Sequence, residues 1–341
     1  GGVELTSQEV RCIMALLFFD GLAPRCGCGD PSFGRLYSDD SNPVGVARLQ
    51  CHLSYYQVVM NSESDPTQGI EKTQGGLRVS RRFGVRKKAA SLSEGQIQLP
   101  DWQNLDHVYF GEIMIKEEQK IEDSRALAHV DFANRDLHIG RVIPSATQEE
   151  VLFSIRPELF IAMLVAGSRI ADNEAIVISG AHRFSTYTGY LSTFRFNGEV
   201  RDWEKGQRPP DIIAIDAIVN PGGHVQYAPA SLLRDTDKAY LGFLPQDTVH
   251  SVCSPGDKVA AQTHSEKQPG ISTGNWGCGM FGGDVILKFV QQAMAASAAG
   301  IPVVHYSAFK NPDLAGRLRC VATLLQGLTV SEVWTILTAW H

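Results

Sequence analysis

From about Asp106 onward, short apolar runs of strand length alternate with amphipathic stretches of helix length, and this alternation limits the fold more than any other feature. His107 to Ile115, Ala126 to Ala133, Glu174 to Ala181, Asp211 to Ile218 and Ile301 to Phe309 are expected to be strands. Ser145 to Ile155, Pro157 to Ala166, Asp284 to Ala299, Pro312 to Gln326 and Val330 to Trp340 are expected to be helices, the third of them stopped by Gly300. Strands interleaved with helices give an α/β layered domain over 106–341, and ligands of such domains gather at the carboxyl ends of the strands.

Residues 1–105 read differently. Thr6, Ser7, Gln8 and Glu9 spell a capping box, and the apolar run behind them reaches Phe19 before Gly21. Between Asn61 and Gly76 the chain is polar and glycine-containing with almost no apolar period, which marks a flexible connection. The first 105 residues are therefore expected to form a mostly helical accessory region. The basic run Arg81 to Lys88 reads as a solvated, mobile surface segment. The polar stretch Pro245 to Ser272 reads as a tolerated surface insertion.

Composition excludes several function classes. A chain of 341 residues that is 43% hydrophobic can bury one large core with a smaller appendage. Its formal net charge of -6 does not favour nucleic acid, so no sequence-specific nucleic-acid partner is expected and any polyanion must be held by a local site. Seven cysteines form an odd set without framework spacing, and no secretory segment opens the sequence. An intracellular, reducing compartment follows as the expectation, nucleus or cytoplasm. No apolar run approaches the roughly 18 residues of a membrane span. Cys26 and Cys28 supply only two ligands with no paired set nearby, so no metal is expected. A chain that opens abruptly at Gly1 and stops at His341 inside a helical pattern is expected to be missing targeting or partner segments that lie beyond its ends.

Three segments fall where a ligand belongs. Pro144 and Ser145 are expected to start a helix, with Ser145 and Gln148 as a capping box and Glu149 and Glu150 in the first turn. Successive helical residues point apart, so these acids cannot flank a glycosidic bond as paired acids do; a catalytic one would act nearly alone, and both also fit ordinary first-turn acids. Thr273 to Asp284 holds five glycines in twelve residues ahead of a helix. Such a loop can offer successive N–H groups to phosphate or simply pack Trp276 and Phe281 in tight turns. Tyr187 and Tyr190, in Ser185 to Tyr190, can stack on a ring or pack.

Taken in order, VDFAN (Val130 to Asn134), QEE (Gln148 to Glu150), YTGY (Tyr187 to Tyr190) and TGNWGCGMFGGD (Thr273 to Asp284) closely resemble the catalytic domain of poly(ADP-ribose) glycohydrolases. KAYLGF (Lys238 to Phe243) and DIIAIDA from Asp211 extend the likeness, which runs from about Leu5 to the end and is weakest between Cys26 and about Asp101. The resemblance implies a macrodomain-like mixed sheet sandwiched by helices, ADP-ribose or poly(ADP-ribose) as ligand, and no cofactor or metal. It implies Glu150 as the acid/base that protonates the ribose–ribose oxygen and then deprotonates water, a role served by a raised pKa. Glu149 and Asn134 would hold ribose hydroxyls. Ile121 and Glu122 would meet adenine, with Gln148 nearby. Tyr187 and Tyr190 would line the cleft, with Tyr190 against the substrate. Asn275, Gly277, Cys278, Gly279 and Phe281 would form a second phosphate loop, and Phe309 would stack on adenine.

One departure bears on activity. The family signature places three consecutive glycines before QEE, around the diphosphate, where this chain has His138, Ile139 and Gly140. A β-branched residue at positive φ costs roughly 1–2 kcal/mol. Two lost hydrogen bonds to phosphate would cost about 3–6 kcal/mol, on the order of a hundred-fold to ten-thousand-fold in affinity, and a protonated His138 against phosphate would return part of it. The expected activity is hydrolysis of poly(ADP-ribose) to ADP-ribose. The alternatives are an impaired relative serving as an interaction module with protein partners, or a reader that binds without cleaving.

Overall fold

The computed structural model describes residues 2–19, 21, 31–38, 41–64, 76–86, 92–93, 95–167, 169–200, 208–220, 223–246 and 268–339. Cys26 and Cys28, most of the 61–76 connection and most of the 245–272 insertion lie outside these residues. Among the described residues no helix is long and apolar enough to cross a membrane, and no group of His, Cys, Asp and Glu side chains could hold a metal ion.

Among the described residues nine strands form one sheet: β1 (Gly2–Leu5), β2 (Leu77–Val85), β3 (Gln96–Gln98), β4 (Glu112–Lys116), β5 (Ala126–Phe132), β6 (Glu174–Ser179), β9 (Asp211–Ile215), β10 (Gln268–Thr273) and β11 (Val303–Ser307). The order is β1-β2-β6-β9-β5-β10-β11-β4, with β3 also on β2. The run from β9 to β4 is parallel, and β1, β2 and β6 pair antiparallel at the other side. Strands β7 (Ser185–Thr188) and β8 (Arg195–Glu199) make a separate hairpin. The mixed sheet between helices is the expected architecture.

Alternation along β6 and β9 builds two cores, because successive strand residues face opposite sides. Ile176, Ile178, Ile212 and Ala214 face one core, shared with helices α1 (Ser7–Phe18), α3 (Pro43–Ser64), α4 (Gln148–Ile155) and α5 (Phe160–Ala166). Ala175, Ile213 and Ile215 face another, shared with α6 (Pro229–Phe243) and α7 (Val285–Ala298). Helices α8 (Pro312–Leu325) and α9 (Val330–Thr338) close a third core around Trp102, Tyr306 and Trp334. A single turn, α2 (Gly34–Tyr37), is the remaining α-helix among the described residues.

Several expectations are corrected by this arrangement. Among the described residues, 1–105 supply more helix than strand, as α1, α2 and α3, but β1, β2 and β3 also join the main sheet. The basic run is not a solvated segment where it is described: Arg82 is buried on β2 and donates to the Leu241, Gly242 and Leu244 carbonyls, while Arg86 grips Asp237. The strand expected from His107 begins at Glu112, because Val108 gives its carbonyl to Val330 N at the cap of α9. The strand from Asp211 ends at Ile215, because Asp216 turns to Arg234 and Lys238 and the Ile218 N–H goes to Asp235.

Helix α3 carries a buried stripe at Arg48, Cys51, His52, Tyr55, Val58 and Val59, spaced three or four apart as one face of a helix requires. It packs across α4 and the β7–β8 hairpin and so reaches the carboxyl-end side of the sheet.

Candidate active site

The segment after β5 runs Ala133, Asn134, then 135–147 and into α4. The helix begins at Gln148, not Ser145, and its cap is Thr147: the Thr147 N–H donates to Glu150 Oε2 at 2.8 Å, and the Thr147 hydroxyl also meets that oxygen. The capping box is thus Thr147 with Glu150, three residues on, and the expected Ser145 with Gln148 is displaced. Ser145 and Ile143 sit in the loop and give their carbonyls to Arg48. Gln148 is drawn to the strand instead: its Oε1 accepts from Phe132 N at 2.8 Å and its Nε2 donates to Val130 O at 3.0 Å. Both ends of this amide are therefore held by β5, which pins the start of α4 to the strand end.

The two glutamates are nearly buried, at 3% and 4% exposure, and do different things. Glu149 accepts from the main-chain N–H of His138 at 2.6 Å and of Asn134 at 3.2 Å, so it ties the loop back on itself. Burial, then the neighbouring Asp131 and Glu150 carboxyls, push Glu149 well above the usual carboxylate range. Burial acts upward on Glu150 too, but His138, the Thr147 hydroxyl and Arg48 together outweigh it and hold Glu150 below its ordinary value. The raised value expected for this acid is not what the ligand-free site gives. Its Oε1 takes no hydrogen bond from the described residues.

The altered loop keeps a glycine-like backbone without the glycines. His138, Ile139 and Gly140 lie at φ +54°, +51° and +68°, three left-handed residues in succession. Two of them carry side chains, at roughly 1–2 kcal/mol each. His138 offsets its share by turning into the core, fully buried, with its ring 5.1 Å from Phe153 and 5.0 Å from Phe160. Arg48 can only donate, so His138 Nε2 accepts from it at 2.9 Å and Nδ1 donates to Arg141 O at 2.9 Å. Burial and the Arg48 charge push the imidazole down to about 4. The ring is therefore neutral at neutral pH and turned away from any phosphate, so the protonated contact expected for it is not made.

Asp131, quoted in VDFAN but not singled out there, is fully buried on β5, and among the described residues neither carboxyl oxygen has a hydrogen-bond partner. Burial, then Glu150, push it well above its usual value of 3.8. The folded state therefore binds its proton more tightly than the unfolded chain, and stability falls as pH rises from 3.8 through the folded value. Asp131→Asn removes that loss, so its stability advantage over the parent is expected to grow between about pH 5 and about pH 8 in denaturant titrations. An equal difference at both values would mean that the Asp131 carboxyl does not titrate in this window.

The aromatic residues divide. Tyr190 is half-buried and meets exposed Phe309 edge to face at 5.0 Å, which brings two expected ring contacts together. Burial, followed by the Glu150 charge, raises the Tyr190 hydroxyl. Tyr187 is not turned to the cleft in the same way: its hydroxyl is held by Glu122, and Lys120 Nζ lies 3.6 Å from its ring centre. Ile121 is buried in a short 3-10 turn, where its side chain, the Phe132 ring and Ser307 O all surround Gly274. The carboxyl ends of β5, β10 and β11 thus converge where the sequence expects adenine.

The glycine loop is anchored from below. Trp276 is fully buried and donates to Ile215 O at 2.9 Å, and Tyr306 donates to Asn275 at 3.1 Å. Phe281 is half-buried on the second core, and burial raises the Cys278 thiol to about 12, which leaves it un-ionised. Lys288, buried on α7, joins Asp235 and lies 5.3 Å from the Trp276 ring centre. Asp235 in turn meets Arg234, and Asp216 meets Arg234 and Lys238, so a buried ionic network supports the loop. Gly277 lies at φ +72°, and a Cβ there would sit 2.4 Å from Ala217 Cβ. Gly277→Ala is expected to lose about 2–4 kcal/mol by denaturant titration, from backbone strain and overlap together. Gly279→Ala, with open space around it, should lose less than about 0.5 kcal/mol. Equal losses would mean that the loop is not held as described.

Arg48, Asp131, Thr147 and Lys288 were missed by sequence reasoning. Thr147, Gln148, Glu149 and Glu150 do spell a capping box, so Thr147 was open to the same reading as Ser145. A lone arginine or lysine on a helical face carries no comparable signal.

A family model described as poly(ADP-ribose) glycohydrolase, macro domain fold, matches residues 99–316. The chain is 36% identical over 243 residues to a probable poly(ADP-ribose) glycohydrolase 2 of Arabidopsis thaliana, covering 63% of this chain and 46% of that one. It is 33% identical over 304 residues to poly(ADP-ribose) glycohydrolase 1 of Caenorhabditis elegans, covering 84% of this chain and 34% of that one. It spans less than half the length of each of these curated relatives. A structure of the Deinococcus radiodurans poly(ADP-ribose) glycohydrolase in complex with ADP-ribose aligns with TM-score 0.37 and 16% identity over 66% of this chain and 88% of that one, a likeness that adds nothing to the assignment. The family match covers well over half of the chain, on the segment that carries the two glutamates, the left-handed loop and the glycine loop, and the chain belongs to the poly(ADP-ribose) glycohydrolase family, with its macro domain fold.

Proposed function

We propose that the chain binds ADP-ribose at the carboxyl ends of β5, β9, β10 and β11 and hydrolyses the ribose–ribose bonds of poly(ADP-ribose), releasing ADP-ribose. The observation that carries this reading is the division of labour between two adjacent buried glutamates. Glu149 positions the loop through its N–H groups, while Glu150 keeps one oxygen on its cap and one without a hydrogen bond from the described residues.

In this reading Glu150 donates a proton to the departing ribose oxygen and then takes one from water. Its depressed value in the ligand-free site suits the second step. The first is served by the substrate, whose diphosphate brings negative charge near the carboxyl and raises its proton affinity. Asn134 and Glu149 hold ribose hydroxyls. Ile121 and Phe309 take adenine, with Glu122 and Gln148 supporting their surroundings. Tyr190 lies against the substrate, and Tyr187 acts through Glu122. Gly140 and the loop of Asn275, Gly277, Cys278, Gly279 and Phe281 receive the phosphates. Residues 1–105 serve the 106–341 domain as a brace. An intracellular setting, nucleus or cytoplasm, is supported by the free thiols of Cys12, Cys51, Cys278 and Cys320.

One observation favours a second reading, a retained fold that reads ADP-ribose without cleavage or serves as an interaction module for protein partners. The N–H groups of His138, Gly140 and Arg141 donate within the protein, to Glu149, Asp136 O and His138 O, which leaves fewer donors for phosphate. Incubation with poly(ADP-ribose) and separation of the products distinguishes the two. Free ADP-ribose supports hydrolysis, and chains of unchanged length support the second reading.

A further inference from the structure

Arg48 lies on α3, outside the 99–316 segment that the family model matches, yet its fully buried guanidinium reaches the candidate site. It donates to Ser154 Oγ at 2.8 Å, to the carbonyls of Ile143 and Ser145, and to His138 Nε2 at 2.9 Å. Among the described residues no carboxylate lies within ion-pair distance of it. A buried cation normally has a carboxylate partner, because burial without one carries an unreturned desolvation cost. Its hydrogen bonds go to neutral acceptors, three of the four in the loop between Asn134 and Glu150, with the Glu150 charge felt nearby but not paired to it.

We propose that Arg48 is a positioning residue of the candidate active site, a clamp that lets a loop with only one of three glycines hold the left-handed path that leads to the two glutamates. This inference rests on the proposed ADP-ribose site for its consequence but not for its geometry. One guanidinium fixes three points of the loop. At His138 it holds the ring in the core, which commits the first left-handed residue and with it the N–H that Glu149 accepts. At Ile143 and Ser145 it fixes the approach to Thr147, whose N–H and hydroxyl set the Glu150 carboxylate. Ser154, the fourth partner, lies on α4 and donates to Glu150 O at 2.6 Å, so the clamp also grips the helix that carries both acids. Glycines reach the same backbone angles without help. With His138 and Ile139 in their place, the angles need a partner that holds them.

The test uses the full chain and two readouts. Hydrogen exchange of the ligand-free protein over 136–147, with Val330–Thr338 as an internal reference for global stability, reads the clamp directly. Arg48→Met is expected to speed exchange over 136–147 by about tenfold while the reference stays unchanged. If Arg48→Met does not fold, His138→Phe keeps the ring packing, removes the Nε2 acceptor, and should give the same local acceleration. Calorimetric titration of ADP-ribose reads the consequence. Arg48→Met should weaken binding by about tenfold or more, and Arg48→Lys by less because it keeps a donor. In a His138→Gly/Ile139→Gly background the Arg48→Met loss should shrink to less than about threefold. Unchanged exchange in Arg48→Met or His138→Phe overturns the proposal, and so does an equal affinity loss in both backgrounds. If the parent chain does not bind ADP-ribose at all, the proposed function fails while the exchange experiment still decides the clamp.

Discussion

Glu150→Gln is expected to cut release of ADP-ribose from poly(ADP-ribose) by about a thousandfold or more, with ADP-ribose binding within about threefold of the parent. Glutamine is a good test because it separates the proton-transfer role from the structural one. At the third helical position a glutamine completes the capping box as glutamate does, so the Thr147 N–H keeps a partner and α4 keeps its start. The loss should therefore appear in turnover and hardly at all in thermal unfolding. A variant as active as the parent would remove Glu150 from the mechanism and direct attention to Glu149 or to Asp131. A variant that unfolds would mean that the charge of Glu150, set against Arg48, carries more of the structure than the hydrogen bonds alone indicate.

Lys288→Met is expected to be strongly destabilising. Lys288 is buried beneath the glycine loop, where it joins Asp235 and donates to Gln291 at 3.2 Å. Without the ammonium, Asp235 remains buried with only Arg234 and the Ile218 N–H on it. Removing one partner of a buried pair strands the other, and the expected loss is about 3 kcal/mol by denaturant titration. Adding Asp235→Asn should return part of it, since no charge is then left unpaired on that side. A loss below about 1 kcal/mol in the single variant would mean that the network is better hydrated than its burial implies.

Much of this architecture is legible in the sequence, for a plain physical reason. The elements from Ala126 to Ala133 and from Asp284 to Ala299 carry strong local periods, and local periods report local structure. Asp284 accepts from Leu287 N at 2.8 Å, and Asn311 from Leu314 N at 2.9 Å, so the helix starts lie where the caps are written. What could not be read is whatever depends on partners far along the chain. Arg48 and His138 are separated by 90 residues, and Arg82 meets carbonyls some 159 to 162 residues away. For that reason the basic run reads as surface although part of it is buried.

The site divides along the same line. VDFAN and QEE lie close in sequence and meet across one loop, so Asn134, Glu149 and Glu150 can be placed from the motif alone. The substitution at His138 and Ile139 is visible as a departure, but its effect is not, because the sequence gives no sign that an arginine on α3 takes up the imidazole. The positive φ expected at Ile139 is present, at +51°. The protonated histidine is not. The lowered pKa of Glu150 likewise turns on His138, on Thr147, a neighbour whose capping role was passed over, and on Arg48, a distant residue.

Calorimetric titration of ADP-ribose into the full chain tests the central claim most directly, that a loop held left-handed without its glycines still receives a diphosphate. Saturable heat at micromolar ligand with one site per chain is expected, retained in Glu150→Gln. No heat even at millimolar ligand would contradict it, because the loop would then be closed to the group it is argued to hold.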